Sequence, residues 1–174
     1  MPMTRHRSID SSSPSKLITT KQARLQGQSS ESGRAMAMAA EREGAVVTTG
    51  HDECMKAAAA MLEEFGLPLG LLPLADVQEL GFVRDTGYFW IAQRGQVQHQ
   101  FKKIGKQVSY DVQISAYVQP KAIKKLKGVK AKELMLWPPI NEMSVDDPPT
   151  GKIHFKSLAG VTKTFPVEAF AAGQ

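Results

Sequence analysis

GVKAKELMLWPPINEMSVDDPPTGKIHFKSLAGVTKTFPVEAF, residues Gly128 to Phe170, is strand-patterned almost throughout and carries no catalytic signature. Leu134, Leu136, Met143 and Val145 continue an alternating pattern across Pro138-Pro139. Proline cannot donate to a ladder, so this pair is expected at a bulge or an edge. Asp146-Asp147-Pro148-Pro149-Thr150-Gly151 reads as a turn. Ile153 and Phe155 then open a last hairpin that closes through Ala159-Gly160 to Val161 and Phe165.

Upstream, the period of two persists. Val108, Tyr110, Val112, Ile114, Ala116 and Val118 alternate with mostly polar neighbours, which predicts one buried face and antiparallel pairing. A strand from Val97 to Ile104 is expected to precede it across Gly105-Lys106, read as a type II′ turn because glycine leads. Leu80 and Phe82 lead through Arg84-Asp85-Thr86-Gly87 into Tyr88-Phe89-Trp90-Ile91, another hairpin with Gly87 supplying positive φ.

Only one stretch of this part of the chain switches to the helical period. Met55, Ala59, Leu62 and Phe65 predict an amphipathic helix from Gly50 to Phe65, with Thr49 as N-cap, Asp52 in the first turn and Gly66 at the C′ position. About eight short antiparallel strands and one helix bury their apolar face by curling or stacking. The expected fold is therefore mainly β, a small antiparallel barrel with the N-terminal helix packed against it. The alternative is a two-layer α+β sheet.

At 174 residues the chain is long enough for one self-sufficient core. The net charge of +5 is unevenly spread: Arg5, Arg7, Lys16, Lys21, Arg24 and Arg34 oppose only Asp10 and Glu31 before Ala35. This opening is Ser- and Arg-rich, poor in aromatics and without apolar period, so residues 1–47 are expected to be a disordered extension and 48–171 the globular domain. Residues 1–35 also fit an organellar transit peptide, while Met36 opens a run that resembles an ordinary cytosolic start. The single cysteine, Cys54, cannot form an internal disulfide, and no apolar run reaches the roughly 18 residues of a membrane span. A reducing, cytoplasmic setting is the expectation.

Four strings bear a family resemblance: GLPLGLLPL from Gly66 to Leu74, the strand end Tyr117-Val118, GVKAKELMLW from Gly128 to Trp137, and GKIHF from Gly151 to Phe155. Together they resemble the plant family catalogued as domain of unknown function 538, from about Ala57 to Phe170. The resemblance implies a closed or nearly closed β-barrel with a helix beside it, similar in outline to the lipid-binding bactericidal/permeability-increasing proteins. It also implies association with stress and nutrient responses, and either lipid-like ligand binding or an esterase or chlorophyll-hydrolysing activity. Many members begin with a secretory signal, and this chain looks like the intracellular branch.

The residues supply no catalytic or metal motif and imply no cofactor. Ser144, Ser157, Asp146, Asp147 and His154 are close in sequence, but there is no G-x-S-x-G elbow, and alternation scatters neighbours onto opposite faces of a strand. Cys54 with His51 lacks the four ligands of a structural zinc site. Asp146 and Asp147 lack the bidentate glutamate of a calcium loop. His99 and His154 read as outward-facing strand residues. Lys121, Lys124, Lys125, Lys127, Lys130 and Lys132 form a basic ribbon, suited to an anionic group or to protecting a sheet edge. Without interleaved aromatics or arginines it does not point to nucleic acid. Phe82, Tyr88, Phe89, Trp90, Tyr110 and Trp137 read as core or as the wall of a cavity. Three functions remain open: binding of a small apolar or amphipathic ligand, an esterase-type hydrolase, and a ligand-free interaction module. The first is expected, chiefly from the resemblance.

Overall fold

The computed structural model describes residues 31–174. Its centre is one long strand, and the rest of the sheet is organised by how two other strands share its edge. β1 (Val46–Thr49) is followed by the helix α2 (His51–Glu64), and α1 denotes the helical segment at residues 31–41. Then come β2 (Val77–Phe82), β3 (Tyr88–Gln93), β4 (Val97–Phe101), β5 (Lys106–Gln119), β6 (Ala122–Ala131), β7 (Ile140–Val145), β8 (Lys152–Ser157), β9 (Thr162–Pro166) and a 3-10 turn, Val167–Phe170. The fold is mainly β, with nine strands among the described residues where about eight were expected. The part of the expected N-terminal extension before residue 31 lies outside the described residues. Within the remainder, α1 is helical and exposed, and β1 pairs with β2 from Val46↔Phe82 to Thr49↔Glu79.

All pairings are antiparallel, in the order β1-β2-β3-β5-β6-β7-β8-β9, with β4 beside β5. The expected barrel is not closed, because β1 and β9 end the strand order without pairing with each other. In place of that last pairing, non-strand segments cover the apolar interior. α2 buries Cys54, Ala58, Met61 and Leu62 and packs on β1 and β2. The following segment buries Leu67, Leu71, Leu72 and Leu74. It also holds the chain's end, since the Gly70 N–H donates to the Phe170 carbonyl at 2.8 Å. A Cβ on Gly70 would lie 2.2 Å from the Ala171 oxygen, so the close approach requires glycine.

β3 and β4 lie along the same edge of β5, β3 from Gln113 to Tyr117 and β4 from Lys106 to Tyr110. Neither reaches the gap between them. Gln93, buried at the end of β3, fills it: its Nε2 donates to the carbonyls of Tyr110 at 3.0 Å and Asp111 at 2.9 Å. The strand bulges against β6 beyond Tyr110, and Val112, expected inward, is 45% exposed. Val108, Tyr110, Ile114, Ala116 and Val118 are buried as the alternation predicts. The Tyr110 hydroxyl donates to the Leu71 carbonyl at 3.0 Å, satisfying the polar end of a buried ring.

Several local expectations are corrected. The residue before α2 is Gly50, at φ 87° and with no side-chain cap, so Thr49 does not cap; it pairs with Glu79 in β1. The other end matches the sequence: Gly66 has φ 70°, Gly66 N–H donates to Glu63 and Leu67 N–H to Leu62, a Schellman closure. The β4–β5 hairpin closes through four residues, 102–105, because Phe101 pairs with Lys106 and is buried, so the two-residue turn is not formed. Leu134 and Leu136 do not extend a strand; they sit in an exposed turn. Proline confines the ladder as expected, and the carbonyls of Pro138 and Pro139 accept from Ala131 and Leu158 at the strand ends.

Candidate functional site

The end of the sheet where β5 begins, β6 ends and β8 turns into β9 encloses a cavity of about 320 Å³. Its wall is almost entirely apolar: Ile104, Val108, Ala131, Pro138, Ile140, Ala159, Val161, Phe155, Phe165 and Phe170. The three phenylalanines form one cluster, with Phe170 4.7 Å from Phe101, 5.0 Å from Phe155 and 6.4 Å from Phe165 between ring centroids. Phe101 and Phe170 are buried, so the cavity sits directly on the main core. Such a volume lies at the lower end of small-molecule sites.

Charge is confined to three lining residues, which are partly exposed. Glu133 accepts from Lys106 at 2.8 Å and from Lys163 at 2.5 Å. The Lys106 and Lys163 ammonium groups hold the Glu133 carboxyl below the usual glutamate range. Two cations and one anion leave a positive excess at the cavity. Because the folded pKa of Glu133 is depressed, its contribution is present above the unfolded value of about 4.3 and is lost as pH falls through the folded one. The stability difference between wild type and Glu133→Gln is therefore expected to be larger at neutral pH than at pH 3. Urea midpoints at the two pH values check this, and an equal difference at both refutes it.

The family comparison bears on this end of the molecule. A family model described as protein of unknown function, DUF538, matches residues 58–171. The chain belongs to the DUF538 family. The match contains every residue that lines the cavity, together with the two segments that cover the main core, Leu67–Leu74 and the terminal 3-10 turn. No curated protein and no solved structure matches the chain.

The DUF538 chain distributes the remaining candidates elsewhere. His154 and Asp146 do meet, His154 Nε2 lying 2.7 Å from Asp146 Oδ1. The hydroxyl on the other ring nitrogen belongs to Thr164, 2.7 Å from Nδ1, and not to Ser144 or Ser157. Thr150 also donates to Asp146, and this bond together with His154 keeps its carboxyl below the usual range. This resembles a nucleophile-base-carboxylate chain, but strand geometry directs it away from the cavity. Phe155 and Ser157 of β8 and Lys163 and Phe165 of β9 line the cavity, so His154 and Thr164 stand on the opposite face. Ser157 reaches the cavity but accepts from the Val161 N–H in its own turn, and Asp147 is exposed.

His51 and Cys54 are engaged locally: His51 Nδ1 accepts from the Val77 N–H at 3.2 Å, and the Cys54 thiol donates to the Thr48 carbonyl at 3.2 Å. Burial pushes the Cys54 thiol up, away from the reactive thiolate. Among the described residues no group of three or more His, Cys, Asp or Glu side chains is placed to hold a metal ion, and no helix is long and apolar enough to cross a membrane. His99 lies edge-on to Phe101 and 2.8 Å from the Gln174 carbonyl.

The lysine ribbon does not act as a unit. Lys121 occupies the tight turn before β6, Lys124 lies 3.5 Å from Glu142, and Lys125 covers the Tyr117 ring. Lys130 and Lys132 run toward the cavity end, where Lys132 sits 5.9 Å from the Trp137 ring centre. The aromatic set is likewise divided. Phe89 and Tyr110 are main core, and Phe82 meets Phe65 edge to face at 6.2 Å. Tyr88 and Trp90 form a second cluster with Val83, where Arg42 lies 4.3 Å above the Trp90 ring. None of the six lines the cavity. Its aromatic wall is Phe155, Phe165 and Phe170; the sequence signal was the shared odd parity of 155, 157, 163 and 165 across one hairpin.

Proposed function

We propose that this DUF538 protein binds a small apolar or amphipathic molecule without catalysing a reaction, its apolar part in the cavity and an anionic head at Lys106 and Lys163. One observation carries the reading: an open, apolar-walled space of about 320 Å³ whose charged lining has a positive excess. An anionic head can take up contacts with the two lysines that are otherwise shared on Glu133. The buried Cys54 thiol suits a reducing, cytoplasmic compartment.

Titration calorimetry with straight-chain carboxylates of increasing length tests this. Each methylene that enters the cavity is expected to add about 0.8 kcal/mol, roughly fourfold in Kd, until the space is full. Ala159→Trp places an indole on an exposed turn at the cavity wall and is expected to weaken binding at least tenfold with little change in Tm. Affinity independent of chain length, or unchanged in Ala159→Trp, rejects the proposal. A hydrolase reading is favoured only by the Asp146-His154-Thr164 chain, and hydrolysis there would proceed on the face away from the cavity.

A further inference from the structure

We infer that the cavity end of the molecule docks on an anionic lipid bilayer, with Leu134 and Met135 entering the headgroup layer. Three connections converge at this end: the 102–105 turn, the loop from Lys132 to Pro139, and the β8–β9 turn. They are tied together by Lys132 N–H to the Gln107 carbonyl at 2.9 Å and by Leu158 N–H to the Pro139 carbonyl at 3.0 Å.

The tip of this end is apolar where turns are ordinarily polar. Leu134 and Met135 are both 91% exposed, and Leu136 is 72% exposed. They are presented by a rigid turn, since Glu133 and Leu136 exchange both backbone hydrogen bonds at 2.9 Å. Leu134 is held at φ 55°, a conformation that leucine rarely adopts and that costs backbone energy. Leu158 and Val161 of the neighbouring turn add exposed apolar surface, at 69% and 59%.

The surroundings decide the partner. Lys102, Lys103 and Lys132 are exposed around the tip, and Glu133, the acid of this loop, is already held by Lys106 and Lys163. An apolar point ringed by lysines that pair with no carboxylate among the described residues matches a bilayer, which presents anionic headgroups above an apolar layer. Trp137, half-buried beside Lys132, is of the residue type that settles at that boundary. Glu133 and Pro138 both line the cavity and flank the tip, so a docked molecule presents its cavity to the lipid. That last consequence rests on the ligand-binding reading; the docking itself does not.

The test is flotation of the full chain with phosphatidylcholine vesicles, with and without phosphatidylserine. Wild type is expected to float with the phosphatidylserine vesicles, to be released as salt rises, and to show a blue shift of Trp137 emission, Trp90 being already buried. The pair Leu134→Ser with Met135→Ser is expected to lower vesicle affinity at least tenfold, and Lys102→Glu with Lys103→Glu by more than the roughly fivefold expected for each lysine. All four positions are exposed, so folding is preserved, and carboxylate binding to the Leu134→Ser, Met135→Ser protein should be unchanged. Equal flotation with both vesicle types overturns the inference. So does retained flotation of the serine pair, which would assign binding to the basic N-terminal stretch. Self-association of wild type dispersed by the serine pair, without flotation, overturns it in favour of a second copy.

Discussion

Phe170→Ala is expected to destabilise the protein by about 3 to 5 kcal/mol, the range for removing a buried aromatic ring. Phe170 is 2% exposed and its ring contacts Phe101, Phe155 and Phe165, so three side chains from three strands lose their common neighbour at once. The site cannot collapse freely, because the backbone on either side is fixed: Gly70 N–H holds the Phe170 carbonyl, and Val167 N–H donates to the Gly151 carbonyl at 2.9 Å. For a domain of this size the loss corresponds to a Tm lower by about 10 °C or more. Since Phe170 also walls the cavity, the variant should accept longer carboxylates than wild type while folding less stably. Leu158→Ala, at an exposed turn, is the control and is expected to stay within about 0.5 kcal/mol. A loss below about 1 kcal/mol in Phe170→Ala would mean that the terminal turn does not close the core.

The same turn shows why part of the architecture was hidden in the sequence. The period of two exposes nearly every strand of the second half, because one face is buried and each side chain reports its face. It does not report which strands lie beside one another, and whether the first and last pair is a long-range matter. A barrel and an open sheet sealed by a helix, a leucine-rich segment and one phenylalanine therefore share an alternation pattern. The gap in β5 is another instance: Val112 fits the inward series by parity, and only the Gln93 amide on Tyr110 and Asp111 reveals that the ladder is interrupted there. β1 leaves no signal in the sequence because its four residues, Val46 to Thr49, are too short to show a period and their burial is slight.

The cavity was legible only in pieces. Ile153, Phe155, Val161 and Phe165 read as a hairpin from their alternation, but the more conspicuous aromatics Tyr88, Trp90 and Tyr110 fill two cores instead of the cavity wall. Lys106, Glu133 and Lys163 come from β5, the β6–β7 loop and β9, and nothing in their spacing indicates that they meet. Leu134 and Leu136 illustrate the opposite error. Apolar alternation predicts burial there, but a left-handed backbone at Leu134 turns both outward. Apolar residues kept in an exposed turn are a departure from the folding pattern, and departures of that kind are where function is to be sought.

Gly128→Ala is the second large effect expected, and it tests whether the curvature that shapes the cavity is set by the bulge in β5. Gly128 lies in β6 at φ 90°, opposite the irregular stretch of β5 between Tyr110 and Ser115. A Cβ there would stand 2.2 Å from the Gln113 carbonyl oxygen and 3.2 Å from the Ile114 Cα. Both obstacles are backbone in a hydrogen-bonded strand, so relief requires the two strands to part. Positive φ adds about 1 to 2 kcal/mol for a residue with a Cβ, and forced overpacking about 1 to 3, giving an expected loss of about 2 to 5 kcal/mol. Gly105→Ala provides the comparison: its φ is 60°, but nothing lies within 4 Å of an added Cβ, so only the conformational part should appear. Denaturant midpoints of the two variants separate strain from collision. If Gly128→Ala loses no more than Gly105→Ala, β5 and β6 can separate cheaply and the bulge does not fix the sheet's curvature. If it loses more, and its affinity for long carboxylates falls with its stability, then the close contact of Gly128 with Gln113 governs the shape of a cavity whose walls begin at Val108 and Ala131, on the same two strands.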